Sequence, residues 1–172
     1  NKYVDNFVIV ESIYNHKGEK RELKYNPEKF ENFKDKIIYL IYDEIPSEVE
    51  SISDNELENE KSGKLIMNAL HRESGQRNFI INGLKNANSE DIILISDVDE
   101  IPNLENKIFD KIKKKIIFFN QDMLYYKFNL KLPNLTWTGT RGCKKKYLKS
   151  PQWIRNIKDR KYPFYRLDTF FS

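Results

Sequence analysis

The chain holds one cysteine, Cys143, so no disulfide can close within it. That scarcity fits a reducing compartment. No apolar run approaches the roughly 20 residues that span a bilayer, and nothing near Asn1 has the pattern of a signal peptide. Internal repeats are absent. A basic stripe is absent too: 30 Lys and Arg are scattered among 26 Asp and Glu, for a net charge of +4 and a pI near 8.9. Nucleic-acid binders usually carry a denser band of one sign, so no nucleic-acid partner is expected. Histidine is limited to His16 and His71.

What is present is a folding chain. Its 172 residues are 39% hydrophobic and 13% aromatic, enough for one domain with a real core. The mild positive balance suits an enzyme whose substrate carries phosphates. Val4 to Glu11 reads as a strand almost at the first residue, and Phe170-Phe171-Ser172 is an apolar stop, so both ends read as cut from something longer. The most informative stretch is Ile92-Ile93-Leu94-Ile95-Ser96-Asp97-Val98-Asp99-Glu100-Ile101-Pro102. Four aliphatics in a row predict a strand buried on both faces, of the kind found in parallel sheets. Pro102 blocks its continuation. Three carboxylates crowded at a strand end repel one another, and a hard cation such as Mg2+ or Mn2+ would relieve them. The competing reading is a solvated acidic turn.

The rest of the pattern alternates. Strands are predicted at Phe7–Val10, Ile37–Tyr42, Ile116–Phe119 and Met123–Leu130, with another at Leu135–Thr140. Short helices are predicted from Pro27 to about Lys34, from an Asn103 cap to about Lys114 through Leu104, Ile108, Phe109 and Ile112, and from Pro151 through Ile157. A longer one is predicted from about Leu65 to Ala87, with Gly75 and Gly83 as weak points. Asp43 to Lys64 reads as a long polar loop. Alternation of this kind predicts an α/β fold with a mostly parallel sheet flanked by helices, and the acidic motif near the middle of its carboxyl edge.

An ordered set of motifs then carries a resemblance. Phe7-Val8-Ile9-Val10-Glu11-Ser12, His16-Lys17-Gly18-Glu19-Lys20, Glu73-x-x-Gln76-Arg77-Asn78, Ile95 to Pro102, Trp137-x-Gly139-Thr140 and Ser150-Pro151-Gln152-x-x-Arg155 together resemble glycosyltransferase family 17 over nearly the whole chain. The resemblance implies one transferase domain over 1–172, incomplete at both termini, with the GT-A type of nucleotide-sugar fold. It implies an Asp-x-Asp metal site at Asp97 and Asp99 with Mn2+ or Mg2+ as cofactor. It also implies transfer with inversion of N-acetylglucosamine from UDP-N-acetylglucosamine, the donor partner, to a glycan acceptor. The location implied is the cytoplasm for a bacterial or viral protein and the Golgi lumen for a eukaryotic one.

Each singled-out residue has both a functional and a structural reading. Glu100 can act as a base toward the acceptor, orient its neighbours, or be a helix-entry carboxylate. Glu11 can meet the nucleotide or pair with a nearby cation. Gln76 and Arg77 can reach the diphosphate, Arg77 with a forked guanidinium; alternatively Arg77 pairs with Glu73 one turn away. Lys20 and Arg21 can cover the donor from a glycine-containing loop, or be solvated. Trp137 can offer its indole face to a pyranose, or sit in the core. Two other functions remain at this point: a non-catalytic sugar-nucleotide-binding fragment, and a phosphatase of the haloacid-dehalogenase type. The phosphatase motif normally continues with Gly and lies near the start of its domain, unlike Glu100-Ile101-Pro102.

Overall fold

The structure is a computed structural model that describes residues 2–105, 109–112, 114–127 and 129–160. The chain divides between Asn86 and Ala87 into two compact units.

In the first unit, β1 (Phe7–Ser12) pairs in parallel with β2 (Ile37–Tyr42), in register from Phe7 opposite Ile37 to Ser12 opposite Tyr42. Both are runs of β-branched and aromatic residues, which fit a pleated, half-buried surface. Tight 3-10 turns at Pro27–Lys36 stand where a short helix was expected; Asn26 caps them by accepting from the Glu28 amide at 2.9 Å. Helix α1 spans Glu58–Asn78 and gives way to 3-10 turns at Phe79–Leu84. It thus begins inside the stretch expected to be loop. Glu58 and Glu60 stand at the positive end of the helix dipole, and Glu60 Oε2 accepts from the Leu57 amide at 3.3 Å, so charge and capping start the helix without an apolar rhythm. Gly75 and Gly83 mark close approaches. A Cβ on the first would meet the Tyr42 ring, and on the second Val8. The polar loop before α1 is tied down by buried Asn68, whose amide exchanges two hydrogen bonds with the backbone of Glu50, at 2.8 and 2.7 Å.

In the second unit, β3 (Ile92–Ile95), β4 (Ile116–Leu124) and β5 (Lys131–Lys144) form one sheet in the order β3-β5-β4, with both pairings antiparallel. This corrects the expectation of a mostly parallel sheet with the acidic strand at its middle: within this sheet β3 is an edge strand. The two separate strands expected at Leu135–Thr140 and Met123–Leu130 are likewise redrawn. β4 runs on from Ile116 to Leu124, a turn follows, and β5 is a single 14-residue strand. Asn134 takes a φ of 62°, an irregularity that absorbs Pro133 and shifts the register between Asp122 and Leu124. Helix α2 (Pro151–Asn156) starts with proline at N1 and is capped by Ser150 Oγ, which accepts from the Trp153 amide at 3.0 Å. Ile93, Ile95, Phe119, Cys143, Ile154 and Ile157 form the core. Of the helix expected after Asn103, the part at 106–108 and Lys113 lies outside the described residues; Phe109–Lys111 is a single 3-10 turn. Among the described residues no helix is long and apolar enough to cross a membrane.

Candidate functional site

The aliphatic run of β3 ends at Ile95, paired with Arg141 of β5, and the chain then turns. The Glu100 amide donates to the Asp97 carbonyl at 3.0 Å, closing a four-residue turn. The turn sorts its side chains: Val98, Asp99 and Ile101 are exposed, Asp97 is half-buried and Glu100 is buried.

Glu100 is fully engaged. Its Oε1 accepts from Trp137 Nε1 at 3.0 Å and from Arg155 Nη2 at 2.9 Å. Its Oε2 accepts from the Asp97 amide at 3.0 Å and from Arg155 Nη1 at 2.7 Å. Arg155, in the last turn of α2, also donates from Nη2 to Asp97 Oδ2 at 2.6 Å and from Nη1 to the Gly139 carbonyl at 2.6 Å. One buried guanidinium therefore bridges two carboxylates and a strand backbone, using the fork that lysine lacks. The carbonyl of Arg155 is held in turn by Arg141 Nη1 at 2.5 Å. On the strand side, Gln121 Oε1 accepts from the buried Thr140 amide at 2.9 Å, and Thr140 Oγ1 shares a 2.8 Å hydrogen bond with Ser96 Oγ. Gly139 leaves the space that the Gln121 side chain occupies.

This arrangement answers part of the sequence argument. The crowding of three carboxylates is relieved by Arg155 for Asp97 and Glu100, leaving Asp99 exposed and without a partner among the described residues. No group of three or more His, Cys, Asp or Glu capable of holding a metal occurs among the described residues. A cation of the magnesium type takes one or two protein carboxylates and completes its shell with substrate phosphates and water, a donor set that Asp97 and Asp99 match in kind.

Trp137, on β5, is about half exposed at 47% while its N–H is anchored on Glu100. It is not a core tryptophan. A ring fixed by its polar edge and open on its body is positioned to be stacked upon. Tyr125 and Tyr126 are exposed and pack edge to face on each other.

The other candidates lie in the first unit. Glu11 is buried at the end of β1. It accepts from the amides of Lys24 and Tyr25 at 2.6 and 3.0 Å and from the Tyr39 hydroxyl at 2.9 Å, with Arg21 Nη2 at 3.7 Å. Burial alone would raise its pKa, but these hydrogen bonds and the Arg21 charge outweigh it and hold the carboxyl below its ordinary value. Burial and the same carboxylate push the Tyr39 hydroxyl up to about 12. Arg21 also donates from Nε to the Ser12 carbonyl at 2.9 Å, so Glu11 and Arg21 both act in tying residues 21–25 to β1. Lys20 is exposed, in a bridge with Tyr14. Gln76 Nε2 donates to the Val10 carbonyl at 2.9 Å, fastening α1 to β1. Arg77 pairs with Glu73 at 2.6 Å, and its side chain is only 13% exposed.

Arg155 is the residue whose role sequence reasoning missed. It stood in the last quoted motif, and a capped, proline-led helix ending in arginine was legible there. Its partner, 55 residues upstream, was not.

Comparison with known proteins gives one result. The model of glycosyltransferase family 17 matches residues 1–159. No curated protein and no solved structure matches the chain.

Proposed function

Because the chain belongs to glycosyltransferase family 17, we propose that it transfers N-acetylglucosamine from UDP-N-acetylglucosamine to a glycan acceptor with inversion, on a fold of the GT-A type. The single observation that carries the site is the joining of the acidic turn to a half-exposed tryptophan, Trp137 Nε1 to Glu100 Oε1 at 3.0 Å. An acidic strand end beside an open indole suits a sugar attached to a diphosphate. Trp137 offers its face to the apolar side of a pyranose. Asp99 and Asp97 are the candidate donors for Mn2+ or Mg2+. A cation bound there would neutralise the charge that develops on the departing diphosphate.

Within this reading Glu100 orients and does not abstract a proton. Each of its oxygens already accepts two hydrogen bonds, so a hydroxyl approaching it would have to displace one. Its work is to fix the Trp137 indole and the Asp97 backbone, the kind of support without which binding groups drift.

The test is release of UDP from a panel of nucleotide sugars, with and without Mn2+. The reading expects UDP-N-acetylglucosamine to be turned over fastest, Mn2+ to be required, and Asp99→Asn to abolish Mn2+-dependent UDP binding while the melting temperature stays unchanged. Trp137→Ala should raise KM about tenfold, equivalent to about 1.4 kcal/mol, through loss of the stacking face. Equal rates with and without Mn2+, or undiminished Mn2+-dependent UDP binding in Asp99→Asn, would overturn the metal assignment.

A further inference from the structure

We infer that Arg155 is the internal counter-cation of the acidic turn: it balances Asp97 and Glu100 when no divalent ion is bound, and so ties cation binding to arrival of the nucleotide diphosphate. The inference rests on the metal reading of Asp97 and Asp99 and extends it.

Three carboxylates fall within four residues, yet the turn is held together by one guanidinium. Arg155 contacts Asp97 Oδ2 at 2.6 Å and both Glu100 oxygens at 2.7 and 2.9 Å, with side-chain exposures of 9% for Arg155 and 5% for Glu100. Its other donations, to the Gly139 carbonyl, and the hold of Arg141 on its own carbonyl keep the end of α2 from withdrawing. A divalent ion approaching Asp97 therefore meets a fixed positive charge on the same carboxylate. Asp99, exposed and unengaged among the described residues, is the one carboxylate it can take without competition.

The two charges oppose one another. A unit positive charge at contact range, even in water-like surroundings, reduces affinity for a divalent ion on the order of tenfold or more. A nucleotide diphosphate supplies anionic oxygens of its own and tips the balance back. The expected behaviour is weak binding of the bare ion and tight binding of the ion with the nucleotide. A turn balanced only by metal would bind the bare ion tightly and lose its order when stripped of it.

The experiment measures free Mn2+ by electron paramagnetic resonance, with Mn2+ alone and with Mn2+ plus UDP, for the parent chain, Arg155→Gln, Arg155→Lys and Asp97→Asn. The parent should bind Mn2+ alone at least about tenfold more weakly than Mn2+ with UDP. Arg155→Gln should bind Mn2+ alone at least about tenfold more tightly than the parent, and Mn2+ should raise its melting temperature more than the parent's. A purely structural arginine would give the opposite, a loss of binding. Arg155→Lys keeps the charge and should keep the weak binding of the bare ion. Asp97→Asn leaves Arg155 paired with Glu100 and so folds. It should change the affinity for Mn2+ alone less than about twofold while weakening Mn2+ with UDP at least about tenfold. Equal losses in both conditions for Asp97→Asn, or no gain for a folded Arg155→Gln while the parent still binds Mn2+ with UDP, overturn the counter-cation role alone. A parent that binds no Mn2+ even with UDP overturns the metal reading and this inference together.

Discussion

Glu100→Gln tests whether the buried carboxylate holds the acidic turn. The substitution keeps shape and removes charge. Each Glu100 oxygen faces two donors: Trp137 Nε1 and Arg155 Nη2 on one side, the Asp97 amide and Arg155 Nη1 on the other. An amide can satisfy one side with its oxygen, but its NH2 then points at two donors whichever way it is flipped. Breaking a buried ion pair by removing one partner costs about 3–5 kcal/mol. Arg155 retains Asp97 and the Gly139 carbonyl, so the low end, about 3 kcal/mol, applies. Against the roughly 5–15 kcal/mol that stabilises a typical domain this is a large fraction. With a urea slope of about 1.5 kcal/mol per M, within the range for small proteins, the midpoint should fall by about 2 M. The assay is urea unfolding followed by tryptophan fluorescence. Both tryptophans, Trp137 and Trp153, lie in the second unit, so the signal reports the unit that carries the substitution. A midpoint within about 0.3 M of the parent would refute the argument, and Glu100 would then be an incidental neighbour of Arg155.

Three further outcomes are expected. Gly139→Ala should drive Gln121 off the Thr140 amide, which is fully buried, and cost about 1–3 kcal/mol, read from the same urea curves. Glu11→Gln should destabilise the first unit and flatten the acid limb of its stability. The folded pKa of Glu11 is lowered from its ordinary value of 4.5, so the stability it contributes is present above about pH 4.5 and is lost as the pH falls through the lowered value. Circular dichroism melts across that window check it, and parallel acid limbs for parent and variant would count against it. Cys143 is fully buried, and burial pushes its thiol up to about 12, so a disulfide reagent at neutral pH should label it no faster than the protein unfolds.

The strands were legible where β-branched runs stood between polar segments: Phe7, Ile37, Ile92 and Ile116 each begin a strand in the structure. Their partners were not legible. Nothing in Ile92–Ile95 says that it will pair antiparallel with residues 141–144, because direction and order are set by long-range contacts. The expected strand at Leu135–Thr140 covers only the middle of β5, which runs on through Pro133 and Asn134 because the structure absorbs them in an irregularity of register. The start of α1 was not legible because its first two turns carry no apolar stripe and contain Asn59, Ser62 and Gly63, all poor helix formers. At the site, Asp97, Asp99 and Glu100 stood out as a group, since like charges in one turn require a partner. The partner that the sequence suggested was a metal, and the one found in the folded chain is Arg155. Trp137 had two readings in the sequence, and the hydrogen bond to Glu100 that holds it half open lies beyond the reach of sequence pattern.

The distance in sequence between Arg155 and its carboxylates also orders events in time. The β4–β5 hairpin closes across the short connection between Leu124 and Lys131 and can form from local contacts on the microsecond scale. The acidic turn cannot meet its guanidinium until α2 exists, 55 residues after Glu100. At synthesis rates of about 5–20 residues per second, the nascent chain carries three uncompensated carboxylates for roughly 3–11 seconds. The turn therefore reaches its native charge balance later than the hairpin beside it, whose strands are complete by Lys144. In refolding, Arg155→Lys should give a φ-value near 0 beside higher values along the hairpin. Damage to Arg155 would accordingly shorten the life of the folded site while leaving the speed of its assembly unchanged.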